Sequence, residues 1–309
     1  MNNKDTHREH FVPRFFIKQF YAKEDQPDKN AKKGMICCYD LQKHKQHPAR
    51  SDDVFFQKDL YETAASDEKF AQILSRDYQN EAVINYFEHE FGKIETNASN
   101  HFKKLLSACY REKDRSKVLS CNQVNYFIKY MVLQLLRIPQ YLELQIDTVD
   151  ETFFEGQNIC KSNSTTEAAA KHLVLSEITH SQSDIIDKIH KTILFNHDMC
   201  ICKLTADCSF FSSNVPIFFF DYHGDGNVFA QSTIVFPISP KYCITFFKCK
   251  YKQHTNDIHK KLIFVDKEVY NKFVYNFIQS ATDWHEKIFS DSISTELMQY
   301  IQQIDTNKD

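Results

Sequence analysis

Along residues 84–105 the apolar positions Ile84, Phe87, Phe91, Ile94, Ala98, Phe102 and Leu105 recur at spacings of three and four. That is the period of a helix with one buried face, and it predicts a long amphipathic helix. Gly92 inside it weakens the helix by about 1 kcal/mol relative to Ala. A second helix is predicted after Ser120, whose hydroxyl can cap it. Its apolar residues Val124, Phe127, Ile128, Met131, Leu135 and Leu136 cover more of the circumference, so it should be the central one. Pro139 should end or kink it, because the residue before a proline is pushed out of the helical region. Further helices are predicted over 67–76, over 167–178, and from Ser183 through Ile185, Ile186, Ile189 and Ile193.

Both flanks read differently. Residues 1–9 are expected to be frayed, and Pro13 suits the first turn of a short helix that puts Phe16, Ile17 and Phe20 on one face. Residues 23–33 read as a loop. Apolar runs at 35–41 and 53–61 enclose a basic loop with His44 and His47, and are expected to pair as a hairpin. A loop at 161–166 interrupts the helices. From 198 onward the period becomes that of strands: 199–204, 209–220, 233–238, 242–247 and 261–265. A helix is predicted over 265–289, with Val269, Phe273, Phe277, Trp284 and Ile288 on its core face, and a last one over 296–304. Strands segregated from helices imply an α+β fold. The expected architecture is a helical middle region packed on a C-terminal antiparallel sheet, with the N-terminal segment tucked between. One domain is expected over 10–290, with a helical lobe at 62–197, a sheet region at 198–265 and helices to 304.

Composition narrows the function classes. Phe (27) and Tyr (15) dominate an apolar fraction of 42%, enough for a large core, whereas five glycines leave little room for a phosphate-cradling loop. The net charge of -3 argues against a globally basic nucleic-acid or membrane-surface protein. Basic clusters such as 43–50 and 111–117 read as solvated surface, or else as local contacts to nucleic acid. The ten cysteines form no CxxC pair, no segment approaches a membrane span, and the N-terminus lacks a secretory apolar stretch. A cytoplasmic protein with reduced cysteines in its core is expected. Nucleophile-elbow, Walker and dinucleotide patterns are absent.

Four short motifs stand in order: His10-Phe11-Val12-Pro13-Arg14-Phe15-Phe16-Ile17-Lys18-Gln19-Phe20; Gln134, Arg137 and Pro139; Ser212-Ser213-Asn214-Val215-Pro216-Ile217; and Phe236-Pro237-Ile238-Ser239-Pro240. In that order the chain resembles a widespread, mostly bacterial family known as domain-of-unknown-function family 4238, from about residue 10 to 290. The resemblance implies no established activity. It does imply that Asn214 stands where the family carries an acid, and that Glu95 stands where members tend to carry one.

The candidate site follows from polar residues inside apolar segments: His10, Gln134, Arg137, Ser213 and Asn214. Burying such groups without partners costs about 1–3 kcal/mol each, so they pair with one another, with backbone or with a ligand. His10 could move protons near neutral pH and Arg137 could fork onto a phosphate. Glu95 joins them as a catalytic candidate, while Arg14, Gln134, Ser213 and Asn214 would hold substrate. The competing account is a buried structural network. Glu88 and Glu95, seven apart, share a helix face; paired acids could bind Mg2+ or work as acid and base, but for these and for Glu90 a solvated face is the favoured reading. Asp221, His223, Asp225 and Asn227 read as a hairpin turn, since Ser232 occupies the position a calcium loop gives to Glu. The Cys200/Cys202/Cys208 set lacks zinc spacing. Neither a metal nor a cofactor is expected.

The function this implies is a hydrolase or lyase acting on phosphodiesters, a metal-independent ribonuclease-like toxin or phage-defence effector, with RNA or a nucleotide as partner. A non-catalytic module for a nucleotide or other anionic ligand is the alternative, and a structural or partner-binding protein the third.

Overall fold

In the computed structural model, which describes residues 8–21, 34–63, 86–149, 164–180, 183–222, 224, 226–249, 257–280 and 285–305, the chain enters as strand β1 (Arg8–His10). A one-turn helix α1 (Arg14–Ile17) and a 3-10 turn (Lys18–Phe20) follow, opened by Pro13. Next come β2 (Ile36–Asp40), β3 (Lys45–Ala49) and β4 (Phe56–Lys58). The helical middle comprises α2 (Tyr86–Arg111), α3 (Cys121–Leu136), α4 (Pro139–Val149), α5 (Ser164–Thr179) and α6 (Asp184–Asn196). Then come β5 (His197–Leu204), β6 (Ser212–Ser213), β7 (Phe218–Phe220), the short α7 (Val228–Gln231), β8 (Thr233–Ser239), β9 (Tyr242–Lys248) and β10 (Leu262–Val265). Helix α8 (Lys267–Ser280), β11 (Lys287–Ser290) and α9 (Thr295–Asp305) end the described chain. The helix expected at 67–76, the loop at 23–33, the first half of the loop expected at 161–166 and the Trp284 position lie outside the described residues, while residues 164–166 of that loop already belong to α5.

The fold is α+β, with three sheets among the described residues. A five-stranded sheet runs β10-β5-β9-β8-β7, antiparallel except where β10 lies parallel to β5. A four-stranded antiparallel sheet runs β3-β2-β11-β6, and β1 pairs with β4 alone. No described helix is long and apolar enough to cross a membrane.

The sequence pattern locates α2, α3 and the cap of α3. Ser120 Oγ accepts the Gln123 N–H, and the Gln123 side chain accepts the Ser120 N–H in return. Four elements depart from expectation. Arg8 and Glu9 are not frayed but form β1, zipped to β4. The partner of β2 is not 53–61 but β3, inside the basic loop, with His44 turning at φ +50°. The expected strand at 209–220 splits into β6 and β7 around Pro216, which has no N–H for a ladder. The helix expected over 265–289 is described as far as Ser280, and Lys287–Ser290 is not helix but a strand between β2 and β6.

The N-terminal segment lies between helices and sheets. Phe16 stacks on Phe236 of β8 at 5.2 Å and meets Phe102 of α2 edge-on. Phe20 sits 5.1 Å from Phe289 of β11, and Phe15 packs on Phe102 and Tyr130. Phe16 and Phe20 are buried, each worth about 1.5–3 kcal/mol. They anchor the stretch that carries Glu9 and His10.

Candidate functional site

Pro139 creates the centre of the site. It ends α3 at Leu136 and opens α4, which leaves Arg137 at the joint with φ -88° and ψ -3°. The Arg137 side chain points inward and the residue is wholly buried. Its Nε–H donates to the Tyr61 hydroxyl at 2.9 Å, Nη1 donates to Glu95 Oε1 at 2.7 Å, and Nη2 donates to the His10 carbonyl at 2.5 Å. The guanidinium carbon lies 4.3 Å from the Phe91 ring centre. Phe91 and Glu95 stand four apart on α2 and so share a face. Burial alone would favour loss of the proton, but Tyr61 and Glu95 outweigh it and keep Arg137 charged.

Two more carboxyls converge here. Burial pushes Glu88 up to about 7, with Arg137 pulling it down and Glu95 pushing it up. Glu9, buried on β1, accepts the Tyr61 N–H at 2.5 Å. Burial pushes it also to about 7, against the Tyr61 bond and with Glu88 adding to the rise. Lys171 of α5 donates to the Asp59 carbonyl at 3.2 Å, and burial lowers its pKa while Glu9 and Glu62 hold it up. Glu9, Tyr61 and Lys171 went unrecognised in the sequence. Glu9 looks like part of a loose terminus, and the register that brings Tyr61 to it is long-range. Glu90, by contrast, faces Lys93 on the surface.

His10 serves Arg137 through its carbonyl. Its imidazole is half-buried against Phe56, and burial, then Arg14, lower its pKa. Its Nε2 is buried with no hydrogen-bond partner among the described residues. Arg14 is half-exposed and pairs with Asp52. Gln134, one turn before Arg137, is buried with neither amide atom partnered among the described residues. One turn earlier still, the buried Tyr130 hydroxyl also lacks a partner there. Burial raises the Tyr130 pKa, and Glu95 and Arg137 both act on it. Glu95 itself keeps 24% of its side chain exposed, so the cluster reaches solvent there.

Ser213 and Asn214 hold a different corner. The Ser213 hydroxyl donates to the Val215 carbonyl and accepts its N–H, and its Oγ lies 3.0 Å from His285 Nδ1. Asn214 Oδ1 accepts the N–H groups of Glu286 and Lys287 at 2.9 and 3.2 Å, which docks β11. An amide oxygen does this without the charge a carboxylate would bring. His285 is held down to about 4 by burial and is neutral near pH 7. Among the described residues, no three His, Cys, Asp or Glu side chains are grouped to hold a metal.

The motif-bearing segments thus meet in two places: 10–20 with 134–139 around Arg137, and 212–217 with His285. A family model described as "Protein of unknown function (DUF4238)" matches residues 8–292. The chain belongs to the DUF4238 family. No curated protein and no solved structure matches it significantly. The DUF4238 match begins at β1 and ends just past β11, so it takes in both the Arg137 cluster and the Ser213 corner.

Proposed function

We propose that the protein is a nucleotide-binding module whose Arg137 cluster reads a nucleobase. The observation that carries this reading is the buried Gln134 amide, with no partner at either atom among the described residues, one turn from the Tyr130 hydroxyl, which likewise lacks one there, and one turn from Arg137, which pairs with the part-exposed Glu95. A side-chain amide offers a donor and an acceptor side by side, which is what a base edge takes. The phosphate-clamp role expected of Arg137 fits less well, because three protein acceptors already occupy the guanidinium. A phosphate would also bring negative charge to a place where Glu9 and Glu88 hold protons up to about 7. The base therefore enters and the phosphate stays outside. The cytoplasm is part of the same reading, supported by nine described cysteines that are all free thiols.

A second reading is the phosphodiester enzyme, a ribonuclease-like toxin or defence effector. Glu88 near 7 and the His10 Nε2, which has no partner among the described residues, supply groups suited to proton transfer at neutral pH.

Gln134→Leu separates the possibilities. Nucleosides and mononucleotides are expected to raise the Tm of the wild type, and Gln134→Leu should abolish that shift. The variant itself should be no less stable, and up to about 1–3 kcal/mol more so, since it removes an unpartnered buried amide. A destabilised variant would make Gln134 a structural residue and end the proposal. RNA cleavage by the wild type, lost in Glu88→Gln, would favour the enzyme.

A further inference from the structure

A cavity of about 580 Å3 opens between α4, α7, α8 and the Ser213 corner. It shares no lining residue with the Arg137 cluster, and its size is that of a small-molecule site. Four of its walls are aromatic: Tyr141, Phe219, Tyr222 and Tyr275. Among the described residues, Asp221 is the one carboxylate in the lining, and no Lys or Arg lines it. The carboxylate is held in place, because Oδ2 accepts the Thr233 hydroxyl at 3.2 Å and the backbone turns at φ +60°. His285 forms part of the wall and is tethered to Ser213. Burial keeps it neutral, so it adds no positive charge at neutral pH.

Aromatic rings present negative faces, and a carboxylate among them makes the cavity attractive to cations and unfavourable to phosphates or carboxylates. We infer that this cavity binds an organic cation, an ammonium group on an apolar body, with the charge placed among the tyrosines and toward Asp221. The apolar part would lie on Val215 and Ile217, which also line the space. This makes the Ser212–Ile217 motif a wall of the site, and it explains why His285 and Asn214 are spent on fixing that corner rather than on chemistry.

The test is calorimetric titration of the full chain with choline and with tetramethylammonium, beside 3,3-dimethylbutan-1-ol, the neutral isostere of choline. Both cations are expected to bind at least about tenfold more tightly than the alcohol. Tyr275→Ala and Asp221→Asn should each weaken the cations by about tenfold while leaving the Tm without ligand unchanged. Both positions suit this purpose, since Tyr275 is half-exposed and Asn tolerates the left-handed backbone at 221. A trimethyllysine peptide forms a second arm. If it binds more tightly than choline, with the same dependence on Asp221, the cation is one carried on a polypeptide. Equal affinity for choline and the alcohol, no binding of either cation at millimolar concentration, or full binding by both variants would overturn the assignment.

Discussion

At Arg137 three protein acceptors take the place that water holds around an exposed guanidinium. Each lies on a different part of the chain: Tyr61 after β4, Glu95 on α2 and the His10 carbonyl on β1. Arg137→Ala removes the cation from beside Glu88 and Glu95 and leaves the Tyr61 hydroxyl and the His10 carbonyl without their donor. Breaking a buried pair in this way costs about 3–5 kcal/mol. Arg137→Lys keeps a charge but not the planar fork, and should lose an intermediate amount. Urea denaturation measures both. A loss under about 1 kcal/mol for the alanine form would mean that Glu88 and Glu95 are at ease without the cation. His10 teaches a narrower lesson at this scale, because the residue contributes a backbone oxygen to the network and its ring lies elsewhere, against Phe56.

Helix α3 carries Tyr130 and Gln134 on successive turns and Arg137 caps its end, so its two ends decide where they sit. Its start rests on the reciprocal bonds of Ser120 and Gln123. Ser120→Ala should cost about 1 kcal/mol, seen as a lower urea midpoint with unchanged slope. No change would show that packing alone sets the start. Helices of this kind are legible in a sequence because their apolar period and their caps are local. The same holds for Arg137 and Gln134, which are conspicuous as polar residues inside apolar segments, whereas Glu95 stands out through the family resemblance. What escapes is set by distant partners. β3 reads Lys-Gln-His-Pro-Ala, a poor strand by propensity, and exists as an edge strand because β2 pairs with it. β11 is hidden in the sequence because Ile288 continues the spacing of α8, although Lys287–Ser290 pairs as a strand. Glu9 and His285 belong to the same class, since their surroundings are assembled from segments 50 to 70 residues away.

Across the whole molecule, buried titratable groups set the pH dependence of stability, and they pull in opposite directions. Glu9 and Glu88 have folded pKa values raised to about 7, above the ordinary 4.5. The native state therefore holds their protons more tightly, and the stability they give is full below about 4.5 and lost as pH rises through 7. Burial lowers His10, His197 and His285, the last to about 4. Their contribution is present above 6.5 and is lost as pH falls through their folded values. Glu88→Gln isolates one side of this balance. Its Tm relative to the wild type should climb between pH 5 and pH 8, and a difference that stays constant across that range would refute the raised carboxyl.

The order β3-β2-β11-β6 has a consequence for how the molecule is made. Lys287–Ser290 must slide between two strands that are already on hand, one of them, Ile36–Asp40, about 250 residues earlier in the chain. At ribosomal speeds of about 5–20 residues per second, that is a wait of about 12–50 s. For that interval the N-terminal hairpin has an open, apolar edge, with Cys37, Cys38 and Tyr39 along it, and nothing of its own to close it. Of the four strands in this sheet, the one that completes it is thus the latest to be synthesised. A nascent chain, or one shortened before Lys287, presents that edge to its neighbours, and the shortened form is expected to aggregate where the full chain does not.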